Sequence, residues 1–67
     1  MQISARNQLK GRVKEVVLGT VMAEVVVDVG GQDIAAAITR RSAEAMGLRA
    51  GDAVTVLIKA TAVMIGK

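Results

Sequence analysis

The sequence predicts an all-β domain over residues 1–67, with five short strands and one short helix between the third and the fourth strand. Two features of the sequence support this prediction. Long stretches alternate between apolar and polar residues with a period of two, which is typical of half-buried strands. Two runs rich in β-branched or apolar residues flank Gly30-Gly31, as in a β-hairpin. At 67 residues the chain is one domain.

The first three strands follow from this alternation and from the turns between them. Residues 9–18 begin as a half-buried strand, and the apolar run at their end predicts a bulge or bend. Gly19-Thr20 is typical of a turn, and residues 23–29 form a second, β-branched strand. Gly30-Gly31 then predicts a type I′ turn, because both of its central residues need a positive φ. The third strand returns over residues 33–39.

The second half of the chain holds the helix and two further strands. Residues 41–46 are fair helix formers; Thr39 and Ser42 are both N-cap candidates, and Gly47 suits the left-handed residue that ends many helices. Residues 54–58 alternate as a fourth strand, and residues 61–65 predict a short fifth one. Five strands with a helix between the third and fourth is the order of a small OB-like Greek-key barrel.

The size and composition of the chain predict a homo-oligomer. A domain this short buries only about 60% of the surface that its unfolded chain exposes. There is no Cys to form disulfides, and no Phe, Tyr or Trp to enlarge the core. Residues 25–29 and 54–58 are apolar on nearly both faces, whereas a barrel that stands alone keeps a polar outer face. We therefore expect further copies of the chain to cover these outer faces.

The residue inventory argues against an enzyme. Without His and Cys the chain has no Ser–His or Cys–His pair, and its six carboxylates are scattered, so we expect no catalytic residues and no direct metal ligands. No apolar run approaches the about 20 residues of a membrane span, and the first residues do not resemble a secretory signal. We therefore expect a cytoplasmic protein with no membrane partner. The net charge of +3 favours an anionic ligand.

Two segments could bind a tetrahedral oxyanion through hydroxyl, cationic and backbone N–H donors. They are Ser4, Ala5 and Arg6 near the start of the chain, and Lys59, Ala60 and Thr61 after the fourth strand. Ser4 and Arg6 point the same way in an extended chain, and the small Ala5 and Ala60 would let the backbone approach a ligand. From composition alone, ordinary surface charges on a barrel rim remain the simpler alternative.

Two sequence runs resemble a known family. SARNQLKG at residues 4–11 is similar to the opening signature of Mop-type molybdate-binding domains, and TVLIKATAVMI at residues 55–65 resembles their closing motif. The resemblance spans essentially the whole chain and is most specific where the first run combines with Lys59. It implies a single Mop-type domain over residues 1–67, with an OB-like barrel.

The resemblance to molbindins, the free-standing members of this family, also implies a function. It implies reversible binding of molybdate, with tungstate as an analogue, at interfaces of a hexamer built as a trimer of dimers, for intracellular molybdenum storage or homeostasis. The two donor segments would come from one subunit, and the segment Ile38, Thr39 and Arg40 from its partner. A second site near the symmetry axis, built largely from backbone N–H groups, has Gly19, Thr20, Val21 and Met22 as candidates.

Two other functions stay open at this stage. In a nucleic-acid-binding OB module, Lys10, Arg12 and Lys14 would follow the phosphates, but the chain has no aromatic residue for base stacking, which makes nucleic acid the less favoured partner. Alternatively, the chain is an oligomeric regulatory domain that acts through a protein partner. Its one predicted helix is too short to read DNA.

Overall fold

The computed structural model describes all 67 residues as one four-stranded antiparallel sheet with a short helix. The elements are β1 (Asn7–Leu18), β2 (Met22–Val29), β3 (Gln32–Thr39), α1 (Arg40–Ala45), β4 (Ala53–Ile58) and a 3-10 turn (Ala60–Ala62). The strand order is β3-β2-β1-β4, so the long β1 pairs with both β2 and β4. The predicted all-β class, and the helix between the third and fourth strands, are confirmed.

The predicted fifth strand over residues 61–65 is wrong. The chain turns there instead: the amide of Ala62 donates to the carbonyl of Lys59 at 2.9 Å, and that of Val63 to the carbonyl of Ala60 at 3.3 Å. These short-range bonds define a 3-10 turn. The apolar residues after it have strand-like composition, but a strand also needs a ladder partner, and these residues pair with neither edge of the sheet. One chain thus has four strands, with β3 and β4 as the sheet edges.

The predicted bulge in the first strand is confirmed and falls at Lys14. Val13 pairs with Val27, but Glu15 pairs with Val26, so Lys14 is an extra residue in the β1–β2 ladder. A bulge bends its strand and increases the local twist. This is how a strand of 12 residues pairs with β4 along its first half and with β2 along its second.

Glycines make two tight features of the sheet possible. The β2–β3 hairpin turns at Gly30 (φ 58°) and Gly31 (φ 89°), which confirms the predicted turn with two positive φ values. The side chain of Asp28 accepts a hydrogen bond from the amide of Gly31 at 2.9 Å. Gly11 permits a close approach of β1 to β2, because a Cβ there would collide with the carbonyl oxygen of Asp28 and lie 2.8 Å from Cγ1 of Val27.

Local hydrogen bonds define both ends of α1. Thr39 is the N-cap, and its hydroxyl oxygen accepts from the amide of Ser42 at 3.1 Å. At the other end, Gly47 has a φ of 60° and the amide of Leu48 donates to the carbonyl of Ala43 at 3.1 Å, as in a Schellman motif. Ala43 is 2% exposed and packs the helix onto the sheet. The helix begins one residue earlier than predicted.

The core is small for the apolar content of the chain. Five of 67 residues are buried: Val13, Ala23, Val25, Val27 and Ala43. Many larger apolar side chains lie at the surface, among them Val21 (70% exposed), Met64 (91%) and Ile65 (90%). Much of the apolar surface of one chain is therefore left without a partner. No helix has both the length and the apolar character that crossing a membrane requires.

Candidate functional site

The two predicted donor segments lie together in one open groove of about 490 Å³, which we call the terminal groove. Its lining residues are Ile3, Ser4, Ala5, Arg6, Lys59, Ala60 and Thr61. All six residues that the sequence predicted for one subunit's share of an oxyanion site are therefore brought together within one chain.

The register of β1 against β4 creates this groove. Asn7 pairs with Ile58 at the end of the ladder, so Arg6, just before β1, and Lys59, just after β4, flank this pair. The side-chain amide of Asn7 also donates to the carbonyl of Ile58 at 3.1 Å. On the N-terminal side, the side-chain amide of Gln8 donates to the carbonyl of Ala5 at 2.7 Å and holds the segment before β1.

The 3-10 turn shapes the other wall of the groove. Lys59 is the N-cap of this turn, and Ala60 and Thr61 are its first residues. The first N–H groups of a helical turn have no acceptor within the turn. Two backbone donors thus lie beside the Lys59 ammonium and the Thr61 hydroxyl, and the Ala60 side chain is too small to cover them.

The charges of the terminal groove are all positive. The two ion pairs of the chain lie elsewhere, between Lys14 and Asp33 at 3.1 Å and between Arg40 and Glu44 at 3.2 Å. Arg6 and Lys59 are therefore free of internal counter-ions, and both are exposed. Such an arrangement can attract an anion and donate hydrogen bonds to it from several directions. No group of three or more His, Cys, Asp or Glu side chains lies close enough together to hold a metal ion.

A second groove, of about 880 Å³, lies between α1 and the β1–β2 turn, and we call it the helix groove. Its lining residues are Thr20, Val21, Thr39, Arg40, Arg41, Glu44 and Ala45. It combines part of the segment predicted to come from a partner subunit with part of the segment predicted for a second site. Gly19, Met22 and Ile38, from the same two predicted segments, do not line it. The two grooves share no lining residue.

Arg40 joins the two walls of the helix groove. Its amide donates to the carbonyl of Val21 at 2.8 Å, and its guanidinium donates to the carboxylate of Glu44 at 3.2 Å and to the carbonyl of Gly19 at 3.3 Å. Arg41 and Glu44 also line this groove, although the sequence did not predict them as site residues. The four-residue spacing between Arg40 and Glu44 was the available signal, since side chains four apart meet on a helix.

Ser42 lies next to Thr39 and is a further polar residue near the helix groove, although it lines neither groove. The hydroxyl of Thr39 donates to the hydroxyl of Ser42 at 2.8 Å. This leaves the hydroxyl proton of Ser42 free to donate elsewhere, so the start of α1 presents a further donor beside Thr39. The N-cap position of Thr39 explains this contact, because it places Ser42 three residues further along the same turn.

These features place the chain in the class of small OB-like domains, with grooves suited to an anionic ligand. The sequence model of the TOBE domain matches residues 3–65. The chain therefore belongs to the TOBE domain family.

Known relatives match over the full length of the chain. Molybdenum-pterin-binding protein 3 of Clostridium pasteurianum is 48% identical over 66 residues, which are 97% of each chain. A molybdate-binding protein from Sporomusa ovata has a structure that matches with a TM-score of 0.95 at 49% identity and covers 100% of both chains. A molybdate-bound structure of ModG, a cytoplasmic molybdate-binding protein, matches with a TM-score of 0.85 at 44% identity over 90% of this chain and 43% of that one. The predicted Mop-type family and the OB-like fold are confirmed.

Proposed function

We propose that this protein binds molybdate reversibly and that it is not an enzyme. The observation that carries the proposal is the terminal groove, where Arg6 and Lys59 meet without a carboxylate counter-ion beside the hydroxyls of Ser4 and Thr61. The names of the relatives also support the proposal, because they describe binding of molybdate or of a molybdenum compound.

The donors of the terminal groove suit a tetrahedral dianion. Arg6 supplies a planar fork that fits an oxyanion edge, and Lys59 supplies a compact charge. Ser4, Thr61 and the backbone N–H groups of the 3-10 turn add neutral donors. Tungstate has the same charge and shape, so we expect it to bind as an analogue. Sulfate is smaller, and donors spaced for the larger ion would hold it with longer hydrogen bonds.

We propose that the complete site lies between subunits. The donors of the terminal groove are exposed in one chain, so a bound ion would remain largely in water, where charge interactions are weak. A partner that contributes Ile38, Thr39 and Arg40 would cover the ion and add donors. The second-site residues, Gly19, Thr20, Val21 and Met22, would hold a further ion near a symmetry axis. The large exposed apolar surface supports a homo-oligomer, for which we propose a hexamer built as a trimer of dimers.

A molybdenum–pterin compound is a second candidate ligand, because the relatives in Clostridium pasteurianum carry that name. A pterin has a flat aromatic ring, which proteins often hold by stacking against aromatic side chains. This chain has no Phe, Tyr or Trp. The groove therefore suits the oxyanion better than the ring.

For the cell, we propose a role in molybdenum storage and homeostasis in the cytoplasm. The description of the relative ModG as cytoplasmic supports the compartment. A site that forms only in the oligomer would also stabilise that oligomer by mass action when the oxyanion is abundant. Storage and assembly would then respond to the same ligand.

Calorimetric titration of ligand-free protein with molybdate tests the proposal. We expect saturable heat with molybdate and tungstate, and little or none with sulfate and phosphate. A stoichiometry that is not a whole number per chain would indicate sites shared between subunits. No binding of either metal oxyanion would contradict the proposal. A titration with a single-stranded oligonucleotide, repeated at two salt concentrations, would then test the nucleic-acid alternative.

A further inference from the structure

The guanidinium of Arg40 already donates two hydrogen bonds within the chain. Its Nε donates to Oε1 of Glu44 at 3.2 Å, and its Nη1 donates to the carbonyl of Gly19 at 3.3 Å. An oxyanion that binds an arginine with two parallel hydrogen bonds uses either the Nε and Nη2 edge or the Nη1 and Nη2 edge. Nε has a single hydrogen, so an anion on the Nε and Nη2 edge must displace Glu44 from Arg40.

Helix stability does not account for the pair of Arg40 and Glu44. In α1 the cation lies at the start of the helix and the carboxylate near its end, which is the unfavourable order with respect to the helix dipole. Both side chains are also about half exposed, and ion pairs of this kind contribute little to folding. The position of Glu44 in the lining of the helix groove points instead to a role in the groove itself.

We propose that Glu44 is an internal competitor for Arg40, which an oxyanion in the helix groove displaces when it binds the Nε and Nη2 edge. This inference rests on the proposed function, since it takes molybdate as the anion. Arg40, Arg41 and Glu44 give the groove a net charge of +1 in place of +2. Glu44 therefore lowers the affinity both by occupying Arg40 and by repelling the dianion. Weaker binding lets the bound anion be released when its concentration falls.

Competition by Glu44 should lower the affinity for every dianion without changing the selectivity between them. Displacement of Glu44 costs the same for every dianion, and the repulsion depends on charge and distance rather than on the identity of the central atom. Neutralisation of Glu44 should then tighten the binding of molybdate and the much weaker binding of sulfate by similar factors, and leave the ratio of their two Kd values nearly unchanged. A change that merely reshaped the groove would alter this ratio.

The test compares Glu44→Gln with a matched control, Glu24→Gln. Gln keeps the size and shape of the side chain, and Glu24 is an exposed carboxylate on β2 that takes part in no ion pair and lines neither groove. Both substitutions raise the net charge of the protein by the same amount. A difference between the Kd values of the two variants therefore does not come from net charge. We expect Glu44→Gln to lower the calorimetric Kd for molybdate by about two- to tenfold relative to Glu24→Gln.

A double-mutant cycle tests whether Glu44 affects molybdate affinity through Arg40. In an Arg40→Gln background, we expect Glu44→Gln to lose most of its effect. If wild-type protein binds no molybdate, the proposed function fails and this inference fails with it. If wild-type protein binds but Glu44→Gln equals Glu24→Gln or binds more weakly, only the role of Glu44 is overturned. An undiminished effect without Arg40 would likewise overturn competition for that residue.

Discussion

Arg6 and Lys59 provide the positive charge of the terminal groove. They flank β1 and β4, which lie next to each other only in the folded sheet. They are 53 positions apart in sequence, yet Arg6 directly precedes Asn7 and Lys59 directly follows Ile58, and these two residues pair at the end of the β1–β4 ladder. Neither has a carboxylate partner, and neither belongs to the core. Substitutions at these two positions therefore test the ligand site with little effect on the fold.

Arg6→Ala should weaken molybdate binding by roughly ten- to hundredfold, because hydrogen bonds between charged groups are worth about 1.5–3 kcal/mol. The free energy of unfolding should change by no more than about 0.5 kcal/mol, as is usual for exposed positions. Calorimetric titration and a denaturation curve followed by circular dichroism measure the two effects. Unchanged affinity would remove Arg6 from the site.

Lys59→Glu should weaken molybdate binding more than Arg6→Ala does, because it places a negative charge against the dianion as well as removing a donor. Lys10→Glu is the matched control, since Lys10 is exposed, lies on β1 and lines neither groove. The control should retain most of the affinity in the same titration. Equal losses in both variants would mean that only the overall charge of the protein matters.

Among the elements, the pairing of β1 with β2 depends on the missing side chain at Gly11. Gly11→Ala should lower the free energy of unfolding by about 1–3 kcal/mol, because the added methyl group would collide with the carbonyl oxygen of Asp28 and crowd Val27. Urea denaturation followed by circular dichroism measures the loss. Gly66→Ala is the control, since nothing lies within 4 Å of a Cβ there. Equal midpoints for the two variants would show that β1 and β2 can move apart without cost.

The sequence predicted those elements whose signals are local. Gly30-Gly31 defined the hairpin, Thr39 and Gly47 bracketed the helix, and the broken alternation indicated the bulge. The prediction of a fifth strand over residues 61–65 failed because composition reports a preference for extended backbone, whereas a strand exists only where the segment pairs with another strand. That information is not local, and hydrogen bonds within the 3-10 turn decided the conformation at the start of this segment.

The candidate site was predictable to a similar extent. Residue chemistry and the family resemblance identified the two donor segments, but the β1–β4 register that joins them requires the folded sheet. Sequence analysis could not find that Thr39 and Arg40 share a groove with Thr20 and Val21, because α1 packs beside the β1–β2 turn only through tertiary contacts. The pairing of Glu44 with Arg40 could be predicted from their four-residue spacing, but the position of this pair in the groove could not.

On the scale of the whole molecule, five buried residues are a small core for 67. If copies of the chain supply the missing burial, the apparent Tm should rise with protein concentration, and rise again when molybdate is added. Scanning calorimetry over a hundredfold range of concentration, together with sedimentation equilibrium for the mass, measures both effects. A Tm independent of concentration and a mass near 6.9 kDa would contradict the oligomer.

The pairing of Asn7 with Ile58 also brings the two termini to one end of the sheet. Residues 3–6 and 59–61 line one groove, so the segments that flank this pair lie close together. The hairpin at Gly30 and Gly31 joins β2 to β3, and a Cβ at either glycine would meet nothing within 4 Å. The chain is thus suited to circular permutation, with new ends at the hairpin, and to tandem fusion, in which one polypeptide carries two copies of the domain.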